Sequence, residues 1–269
     1  MAERLGQHFL SDKEILRKII EAAQISKKDT VIEIGPGKGI LTRALCERAG
    51  KVIAIELDSY LSKTLRPAVG PFTNLEIINA DALKTLNEPT LLTTLQKEKS
   101  RLKLVSNIPY QITTPLLFTL IFSPLYWHLL VLLIQKEVAK KLLAKADSSE
   151  RTLITVLTNL WAESNFISPV PKTAFKPQPK VDGAIISLKP KKPRPAVLCE
   201  KEFLRLLKIA FSAKRKTLAN VLSAGYRKEK GQIKSLLEKS RLDPNLRAED
   251  LEEKDWLLLY NSLKSSSFI

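Results

Sequence analysis

Short apolar runs rich in valine and isoleucine recur along the first two thirds of the chain. Runs of this length, bounded by polar or glycine-containing segments, predict β-strands. The five clearest runs are Thr30–Ile34, Lys51–Glu56, Leu75–Asn79, Leu102–Ser106 and Leu129–Ile134. Two weaker candidates follow at Trp161–Ile167 and Ala184–Leu188. The pattern therefore predicts five strands and indicates two more.

Segments with helical spacing lie between the first strands, for example Ile40–Arg48 and Ser59–Leu65. Alternation of strands and helices builds parallel βαβ units, in which helices cover both faces of the sheet. Ligands of such sheets bind at the carboxyl ends of the strands. We therefore expect the functional residues directly after each strand of a mostly parallel, Rossmann-like α/β sheet.

The composition of the chain changes after Lys172, where a lysine-rich stretch contains many prolines. Proline at this density stops helices and stiffens a connector. Beyond it, Lys201–Leu222, Lys230–Lys239 and Glu249–Leu263 have helical spacing with almost no strand signal. A chain of 269 residues is long enough for two domains. We predict a catalytic α/β domain at residues 1–194 and a small helical domain at residues 195–269.

The charge of the chain is strongly positive. The 44 lysines and arginines outnumber the 28 acidic residues, which gives a formal net charge of +16. Residues 172–230 hold 16 basic and 4 acidic side chains, so 16 − 4 = +12 of this charge lies there. A protein this basic attracts polyanions, of which nucleic acid is the commonest. The alternative is a lysine-rich surface that serves solubility.

Cysteine and histidine are too sparse for several kinds of site. Cys46 and Cys199 lie far apart, and His8 and His128 are the two histidines of the chain. These numbers disfavour a disulfide framework, a zinc or other metal site, and a Cys/His nucleophilic pair. The first residues lack the apolar core of a signal peptide, and Leu129–Ile134 is too short to cross a bilayer. We expect a protein of the reducing cytoplasm with no membrane partner.

The first predicted strand runs into the glycine-rich segment Glu33–Gly39, which has the form E-x-G-x-G-x-G. Glycines at Gly35 and Gly37 allow a sharp turn and the close approach of a ligand. The dinucleotide fingerprint has a different glycine spacing, and the phosphate-loop ending G-K-[ST] is absent. The segment suits a cofactor that carries an amino-acid tail in place of a pyrophosphate. A structural turn without a ligand is the alternative.

Acidic residues follow the next two strands. Glu56 ends the second strand, about 20 positions beyond the first glycine, where a carboxylate is suited to accept hydrogen bonds from ribose hydroxyls. Asp58 is placed to cap the following helix. Asp81 follows the third strand and could accept from an adenine amino group, with the Ala82 N–H on a ring nitrogen. Asp81 could equally be a turn residue.

The fourth strand runs into Asn107-Ile108-Pro109-Tyr110. An exocyclic adenine nitrogen is a poor nucleophile, but acceptors that hold its two hydrogens make it more reactive. The Asn107 side-chain oxygen and the Ile108 carbonyl suit this task, since Pro109 restricts Ile108 to an extended conformation. Tyr110 offers a flat face on which an extruded base can stack. A plain turn is the alternative.

These segments together resemble a known family. The motifs that carry the resemblance are Gly6–Leu10, Glu33–Gly39, Glu56, Asp81, Asn107–Tyr110, Gln135–Ala139, Phe175–Asp182 and Phe211–Leu218. In this order they resemble the KsgA/RsmA family of small-subunit ribosomal RNA adenine N6,N6-dimethyltransferases. The resemblance covers nearly the whole chain and implies the class I S-adenosylmethionine-dependent methyltransferase fold with a seven-stranded sheet.

The resemblance also implies roles for individual residues. Its implied cofactor residues, which would hold S-adenosylmethionine and its product S-adenosylhomocysteine, are Gln7, His8, Leu10, Glu33, Gly35, Gly37, Glu56, Asp81, Ala82 and Asn107. Asn107, Ile108, Pro109 and Tyr110 would act on the target base, and Phe175 would stack on its other face. Taken alone, Phe175 fits a core position better than a stacking platform.

The substrate implied by the resemblance is a pair of adjacent adenosines in the 3′-terminal hairpin loop of small-subunit ribosomal RNA. The enzyme would bind this RNA within an immature 30S particle. A monomer is sufficient for this function, because one active site is enough. Three other functions stay open at this stage. They are an Erm-type methylase of large-subunit ribosomal RNA, a non-catalytic ribosome assembly factor and a nicotinamide-dependent dehydrogenase.

Overall fold

The computed structural model describes residues 7–97 and 100–266, so Gly6 of the first motif lies outside the described residues. The chain divides into two compact units. The first comprises residues 1–139 and 162–190, and the second comprises residues 140–161 and 191–269. In the described ranges, no helix is both long enough and apolar enough to cross a membrane.

The first unit contains a mixed sheet and a small two-stranded sheet. Its strands are β1 Phe9–Leu10, β2 Asp29–Ile34, β3 Lys51–Glu56, β4 Leu75–Asn79, β5 Arg101–Asn107, β6 Trp127–Gln135, β7 Ala162–Val170, β8 Phe175–Lys176 and β9 Gly183–Pro190. Its helices are α1 Lys13–Ala23, α2 Ile40–Arg48, α3 Ser59–Val69, α4 Ala82–Thr85, α5 Pro89–Lys97 and α6 Thr113–Phe122. The next helix, α7 Lys136–Leu142, contains the first junction between the two units, at residues 139 and 140.

The large sheet has the strand order β4-β3-β2-β5-β6-β9-β7. Adjacent strands from β4 to β6 are parallel, whereas β9 runs antiparallel to both β6 and β7. The predicted mostly parallel seven-stranded sheet is therefore confirmed. Because the chain winds outward from β2 in one direction and from β5 in the other, a crevice opens at the carboxyl ends of these two strands.

Side-chain caps fix where several helices begin. The Asp58 carboxylate accepts the backbone N–H groups of Tyr60 and Leu61 at 2.8 and 3.1 Å. The capping role predicted for Asp58 is thereby confirmed, and it starts α3 directly after Glu56. Such a cap satisfies backbone donors that the first helical turn leaves unpaired.

A buried ion pair links the first helix to the centre of the sheet. The Lys103 ammonium lies 3.1 Å from Asp29, and the two side chains are 2% and 0% exposed. Lys103 also donates to the carbonyls of Ala23 and Gln24 at the end of α1. Burial alone would raise the pKa of Asp29, but the Ser26 N–H and the Lys103 ammonium lower it below its usual value.

The second unit is helical. Its further helices are α8 Leu153–Trp161, α9 Lys201–Ala210, α10 Leu218–Tyr226, α11 Lys230–Lys239 and α12 Glu253–Ser265. The predicted single helix Lys201–Leu222 was wrong, because the chain leaves the helix between Ala210 and Leu218. Thr217 has the extended conformation that precedes a helix, and the Leu218 N–H donates to the Leu246 carbonyl.

The division between the units differs from the predicted boundary at residues 194 and 195. The last of the three junctions, between residues 190 and 191, lies close to that boundary. Residues 140–161, however, group with the helical unit although the sequence placed them in the catalytic domain. One cause is the buried guanidinium of Arg151, which lies 2.7 Å from the Glu253 carboxylate at the start of α12. Local hydrophobic periodicity cannot indicate a pairing between residues so far apart in sequence.

Candidate active site

A cavity of about 720 Å³ opens at the carboxyl ends of β2, β3 and β5. Most residues that the sequence predicted for the site contribute to its wall. They are Gln7, His8, Leu10, Glu33, Gly35, Gly37, Glu56, Asn107, Ile108, Pro109, Tyr110 and Phe175. Since the cavity lies where the strand order reverses, the topology of the sheet explains why segments distant in sequence meet there.

The glycine loop adopts a backbone that other residues rarely reach. Gly37 has φ +57°, and a Cβ atom added there would lie 2.8 Å from the Phe9 ring. Gly35 has φ +65°, and its added Cβ would lie 3.1 Å from Pro109. The missing side chains therefore let the loop pack directly against the N-terminal strand and against the segment that follows β5.

Glu56 fixes the loop from the neighbouring strand. Its carboxylate accepts the Gly37 N–H at 3.1 Å and the Asp58 N–H at 2.9 Å. Burial raises the pKa of Glu56, and these two hydrogen bonds oppose that rise. Each bond uses a different oxygen, so each oxygen retains capacity to accept a further donor from a ligand.

Glu33 is the most strongly perturbed group in the cavity wall. Its side chain is buried, and its Oε2 atom has no hydrogen-bond partner. Burial, together with the nearby Glu56 carboxylate, raises the pKa of Glu33 to about 8. Perturbed carboxyl groups of this kind cluster at functional sites. A cationic ligand group beside Glu33 would relieve the cost of its ionisation.

This pKa predicts how stability depends on pH when no ligand is present. Glu33 keeps its proton in the folded chain up to about pH 8, whereas the unfolded chain loses it near 4.5. The resulting stability is fully present below pH 4.5 and is lost as the pH rises through 8. Relative to Glu33→Gln, the free energy of unfolding should fall by up to about 1.4 kcal/mol per pH unit across this window.

Urea unfolding at several pH values between 5 and 9 measures this effect. Glu76→Gln is a matched control, because the Glu76 side chain is about half exposed and lies on a surface ion pair. Its pH profile should parallel that of the unsubstituted protein. A Glu33→Gln profile that also runs parallel would contradict the assignment.

The segment after β5 is held from two sides. The Asn107 side-chain nitrogen donates to the His8 carbonyl at 3.4 Å, which directs the side-chain oxygen of the same amide away from that contact. The Ile108 N–H donates to the Leu133 carbonyl at 3.0 Å, and the Ile108 side chain is buried. The backbone at this point is therefore fixed by the neighbouring strand β6.

Tyr110 lies at the wall of the cavity with its ring partly exposed. The Tyr110 hydroxyl is buried without a hydrogen-bond partner, and burial raises the pKa of Tyr110 to about 12. The phenol is therefore neutral in the physiological range. Its ring centre is 6.5 Å from that of His8, and the two rings are tilted by 39°. A neutral aromatic ring at a cavity wall is suited to stack against a planar ligand.

The N-terminal strand closes one side of the cavity. β1 pairs antiparallel with β8, so that Phe9 lies opposite Lys176 and Leu10 opposite Phe175. The His8 Nδ1 atom lies 2.9 Å from the Pro177 carbonyl oxygen and extends this connection. The predicted closure of the cavity by the segment around Gln7 is consistent with this pairing, although the cofactor contacts stay a prediction.

Three predicted site residues are placed differently from expectation. Asp81 and Ala82 follow β4, but they are not among the residues that line the cavity. The Asp81 carboxylate accepts the Leu83 N–H at 2.9 Å and so caps α4. Phe175 borders the cavity but is only 1% exposed. Stacking needs an open ring face, so the structure favours the core alternative for Phe175, and its stacking role would require the ring to move.

Several lining residues had no predicted role, namely Lys38, Gln111, Gln178 and Lys180. Lys38 occupies a variable position of the glycine loop, where the motif gives no signal, and its ammonium lies 4.9 Å from the centre of the Phe9 ring. Gln178 and Lys180 lie in the motif Phe175–Asp182, so the family resemblance could have indicated them as site residues. In residues 7–97 and 100–266, no group of three or more potential ligands is arranged to hold a metal ion.

Comparison with known proteins identifies the family. Residues 1–265 match the model of the family described as ribosomal RNA adenine dimethylase. The chain is 40% identical over 263 residues to the ribosomal RNA small subunit methyltransferase A of Ligilactobacillus salivarius, covering 96% of this chain and 88% of that protein. The resemblance inferred from the motifs is thereby confirmed.

Two solved structures are similar over almost the whole chain. A dimethyladenosine transferase from Plasmodium falciparum has a TM-score of 0.80 and 31% identity, covering 97% of this chain and 98% of that one. The 23S ribosomal RNA methyltransferase ErmE has a TM-score of 0.71 and 27% identity, covering 95% and 99%. The fold is accordingly that of class I methyltransferases, and the chain is a methyltransferase that belongs to the ribosomal RNA adenine dimethylase family.

Proposed function

We propose that this enzyme dimethylates N6 of two adjacent adenosines in the 3′-terminal hairpin loop of 16S ribosomal RNA. The observation that carries the proposal is the fixed Asn107–Tyr110 segment in the cavity wall. The name of the Ligilactobacillus salivarius relative supports the small subunit as the substrate. We further propose that the enzyme acts as a cytoplasmic monomer on immature 30S particles.

Asn107 and Ile108 supply the acceptors for the target amino group. The Asn107 nitrogen is engaged by the His8 carbonyl, so the side-chain oxygen is the atom that accepts a hydrogen from adenine N6. The Ile108 carbonyl takes the second hydrogen, and its position is fixed by the hydrogen bond of Ile108 to β6. When both hydrogens are held in this way, the lone pair of adenine N6 is less delocalised into the ring. The nitrogen is then a better nucleophile. Orientation of this kind contributes much of the rate in such reactions.

Tyr110 supplies the stacking face for the target base. A base in a hairpin loop is less constrained than one in a duplex, so its extrusion into the cavity costs less. The proton that leaves N6 after transfer needs no strong base, because methylation makes that nitrogen acidic. The absence of a histidine or carboxylate from the predicted target-base residues is compatible with this chemistry.

The cavity fits S-adenosylmethionine as the methyl donor. This cofactor carries an ammonium group and a sulfonium group, and the wall presents the buried Glu33 Oε2 without a partner and the Glu56 carboxylate. Gly35 and Gly37 hold the loop at the cavity wall in a backbone conformation that a side chain would disfavour. When bound, the cofactor supplies an electrophilic methyl group and is converted to S-adenosylhomocysteine. Glu56 would hold the ribose, and Asp81 would accept from the adenine with the carboxylate oxygen that does not cap α4.

Gly37→Ala should weaken S-adenosylmethionine binding by about tenfold or more. The added Cβ would lie 2.8 Å from Phe9, so either the loop or the N-terminal strand must shift, and the hydrogen bond from Gly37 to Glu56 would be disturbed. Loss of one such buried hydrogen bond to a charged group costs about 1.5–3 kcal/mol. Isothermal titration calorimetry measures the change in Kd.

Gly70→Ala is the matched control for this experiment. Gly70 also has a positive φ, but its added Cβ would meet nothing nearer than 3.9 Å, and Gly70 is not in the cavity wall. This variant should bind the cofactor normally. Unchanged binding by Gly37→Ala would refute the proposed placement of the cofactor.

The helical unit is proposed to contribute to RNA binding. Residues 201–230 hold 9 basic and 2 acidic side chains, and Lys214, Arg215 and Lys216 are all exposed. Exposed cations contact phosphates without reading the sequence, so they position the substrate while the cavity selects the base.

The nearest alternative is methylation of the large subunit, as the name of ErmE states for that protein. The higher identity to a small-subunit relative favours our proposal. Primer extension on ribosomal RNA from a strain that lacks this protein separates the two alternatives. We expect the methylation stop to vanish from 16S ribosomal RNA. Loss of a stop from 23S ribosomal RNA, or from neither, would overturn the proposed substrate.

A further inference from the structure

The helical unit contains an open groove between α9 and α10, with a volume of about 430 Å³. Its lining comes from both helices and from the segment that joins them. Its lining includes Arg205, Lys208, Ile209, Ser212, Lys216, Asn220, Val221, Ala224 and Gly225. This volume lies within the range of about 300–1,000 Å³ that is typical of ligand sites. No role in the proposed methyl transfer accounts for this groove.

The rim of the groove is cationic. Lys208 and Lys216 are exposed, and the Arg205 guanidinium lies 5.4 Å from the centre of the Tyr226 ring. Contact with an aromatic face orients the guanidinium plane. The carboxylate nearest to Arg205 in sequence, Glu202, lies 3.3 Å from it in an exposed ion pair that is weak in water. The rim therefore offers three cations to an anionic ligand.

The floor of the groove is apolar, with polar groups beside it. Ile209 and Val221 supply the apolar surface. The two helices approach closely here, since a Cβ atom added at Gly225 would lie 2.2 Å from Ile209. The Ser212 hydroxyl and the Asn220 amide line the same groove. An amide offers both donors and an acceptor, as recognition of the edge of a nucleobase requires.

We propose that this groove binds a single unpaired nucleotide of the RNA substrate. The base lies on the apolar floor beside Asn220, and the flanking phosphates contact Arg205, Lys208 and Lys216. A nucleotide combines a flat apolar face, a polar edge and adjacent negative charges, and the groove presents the complement of each. An acidic peptide would use the cations but not the floor. The inference rests on the proposed function in that the ligand is RNA, but it concerns a site separate from the active site.

Fluorescence anisotropy with the full chain and a short single-stranded RNA, without methyl donor, tests the groove. Ala224→Leu fills the groove and should weaken binding about fivefold or more, since contacts of one base are worth about 1–3 kcal/mol in single-strand binding. Gly231→Leu is the matched control, because Gly231 has open space around its Cβ position and lies outside the groove. Its Kd should stay close to that of the unsubstituted protein.

A second pair of variants tests the phosphate contacts. Lys208→Gln should reduce the slope of log K against log salt by about 0.7, the value for one phosphate contact to a single strand. Lys234→Gln removes the same charge from an exposed position of α11 outside the groove and should leave the slope unchanged. Equal effects of the two lysine variants would show that the attraction is diffuse and would overturn the proposal.

A third experiment needs no substitution. A single-stranded RNA with photoreactive 4-thiouridine should cross-link to the peptide that spans residues 205–225 in the unsubstituted protein. Wild-type affinity of a correctly folded Ala224→Leu variant, cross-links confined to other segments, or equally effective competition by a polyglutamate peptide would each refute the site. Because no methyl transfer is measured, this failure is distinguishable from failure to methylate ribosomal RNA.

Discussion

Asn107→Ala is expected to lower the rate of methyl transfer by at least about 100-fold, the cost of removing one preorganised hydrogen-bonding group from an active site. The substitution deletes the oxygen that we propose accepts a hydrogen from adenine N6, together with the nitrogen that donates to the His8 carbonyl. Affinity for RNA should stay nearly unchanged, because phosphate contacts supply most of it.

Single-turnover methyl transfer to immature small subunits, with RNA affinity measured in parallel, separates these two effects. Asn87→Ala provides the matched control, because Asn87 is exposed and its amide donates to the Leu83 carbonyl outside the cavity. That variant should methylate at the normal rate. Full activity of Asn107→Ala would eliminate the proposed role of this side chain.

Lys103→Met is expected to destabilise the fold by about 3–5 kcal/mol, the usual cost of removing one partner from a buried ion pair. The Asp29 carboxylate is completely buried and would lose the cation at 3.1 Å. The carbonyls of Ala23 and Gln24 would lose their donor as well. Arg101, which is 45% exposed, would retain its contact with Asp29 and so limit the loss.

Urea unfolding near neutral pH measures this difference. Arg17→Met is the control, because Arg17 pairs with Glu14 and Glu21 on the exposed face of α1 and exposed pairs contribute about 0–1 kcal/mol. Adding Asp29→Asn to Lys103→Met should restore part of the stability, since the uncompensated charge is then gone. Equal losses in Lys103→Met and Arg17→Met would rule out an energetic role for the buried pair.

The central strands were predictable because they are buried on both faces of the sheet. A strand such as β3 then consists of a short, nearly continuous apolar run, and the sequence marked Lys51–Glu56 with the bounds that the structure has. The predicted bounds of the helix Ile40–Arg48 also agree with the structure. Part of the candidate site was predictable for a related reason, since parallel strands bring their carboxyl ends to one edge, where Glu33, Glu56 and Asn107 lie at the ends of their strands. Gln7, His8, Leu10 and Phe175 were predicted from the family resemblance alone.

Features that depend on long-range contacts were not predictable. Nothing near Lys103 in sequence indicates that its ammonium meets Asp29 across the sheet. The side chain of Arg151 contacts Glu253, which lies 102 positions further along the chain. Because no local pattern indicates this pairing, the sequence placed residues 140–161 in the other domain. The orientation of Asp81 toward its own helix likewise depends on local geometry, because an aspartate after a strand serves a ligand or a cap equally well.

Methyl transfer to immature small ribosomal subunits, followed by digestion of the RNA and mass analysis of the nucleosides, is the decisive test of the proposed reaction. With S-adenosylmethionine as donor, we expect N6,N6-dimethyladenosine at two adjacent positions in the 3′-terminal hairpin loop of 16S ribosomal RNA. Methylation confined to 23S ribosomal RNA, methylation at another position of the base, or the absence of any methylated adenosine would contradict it.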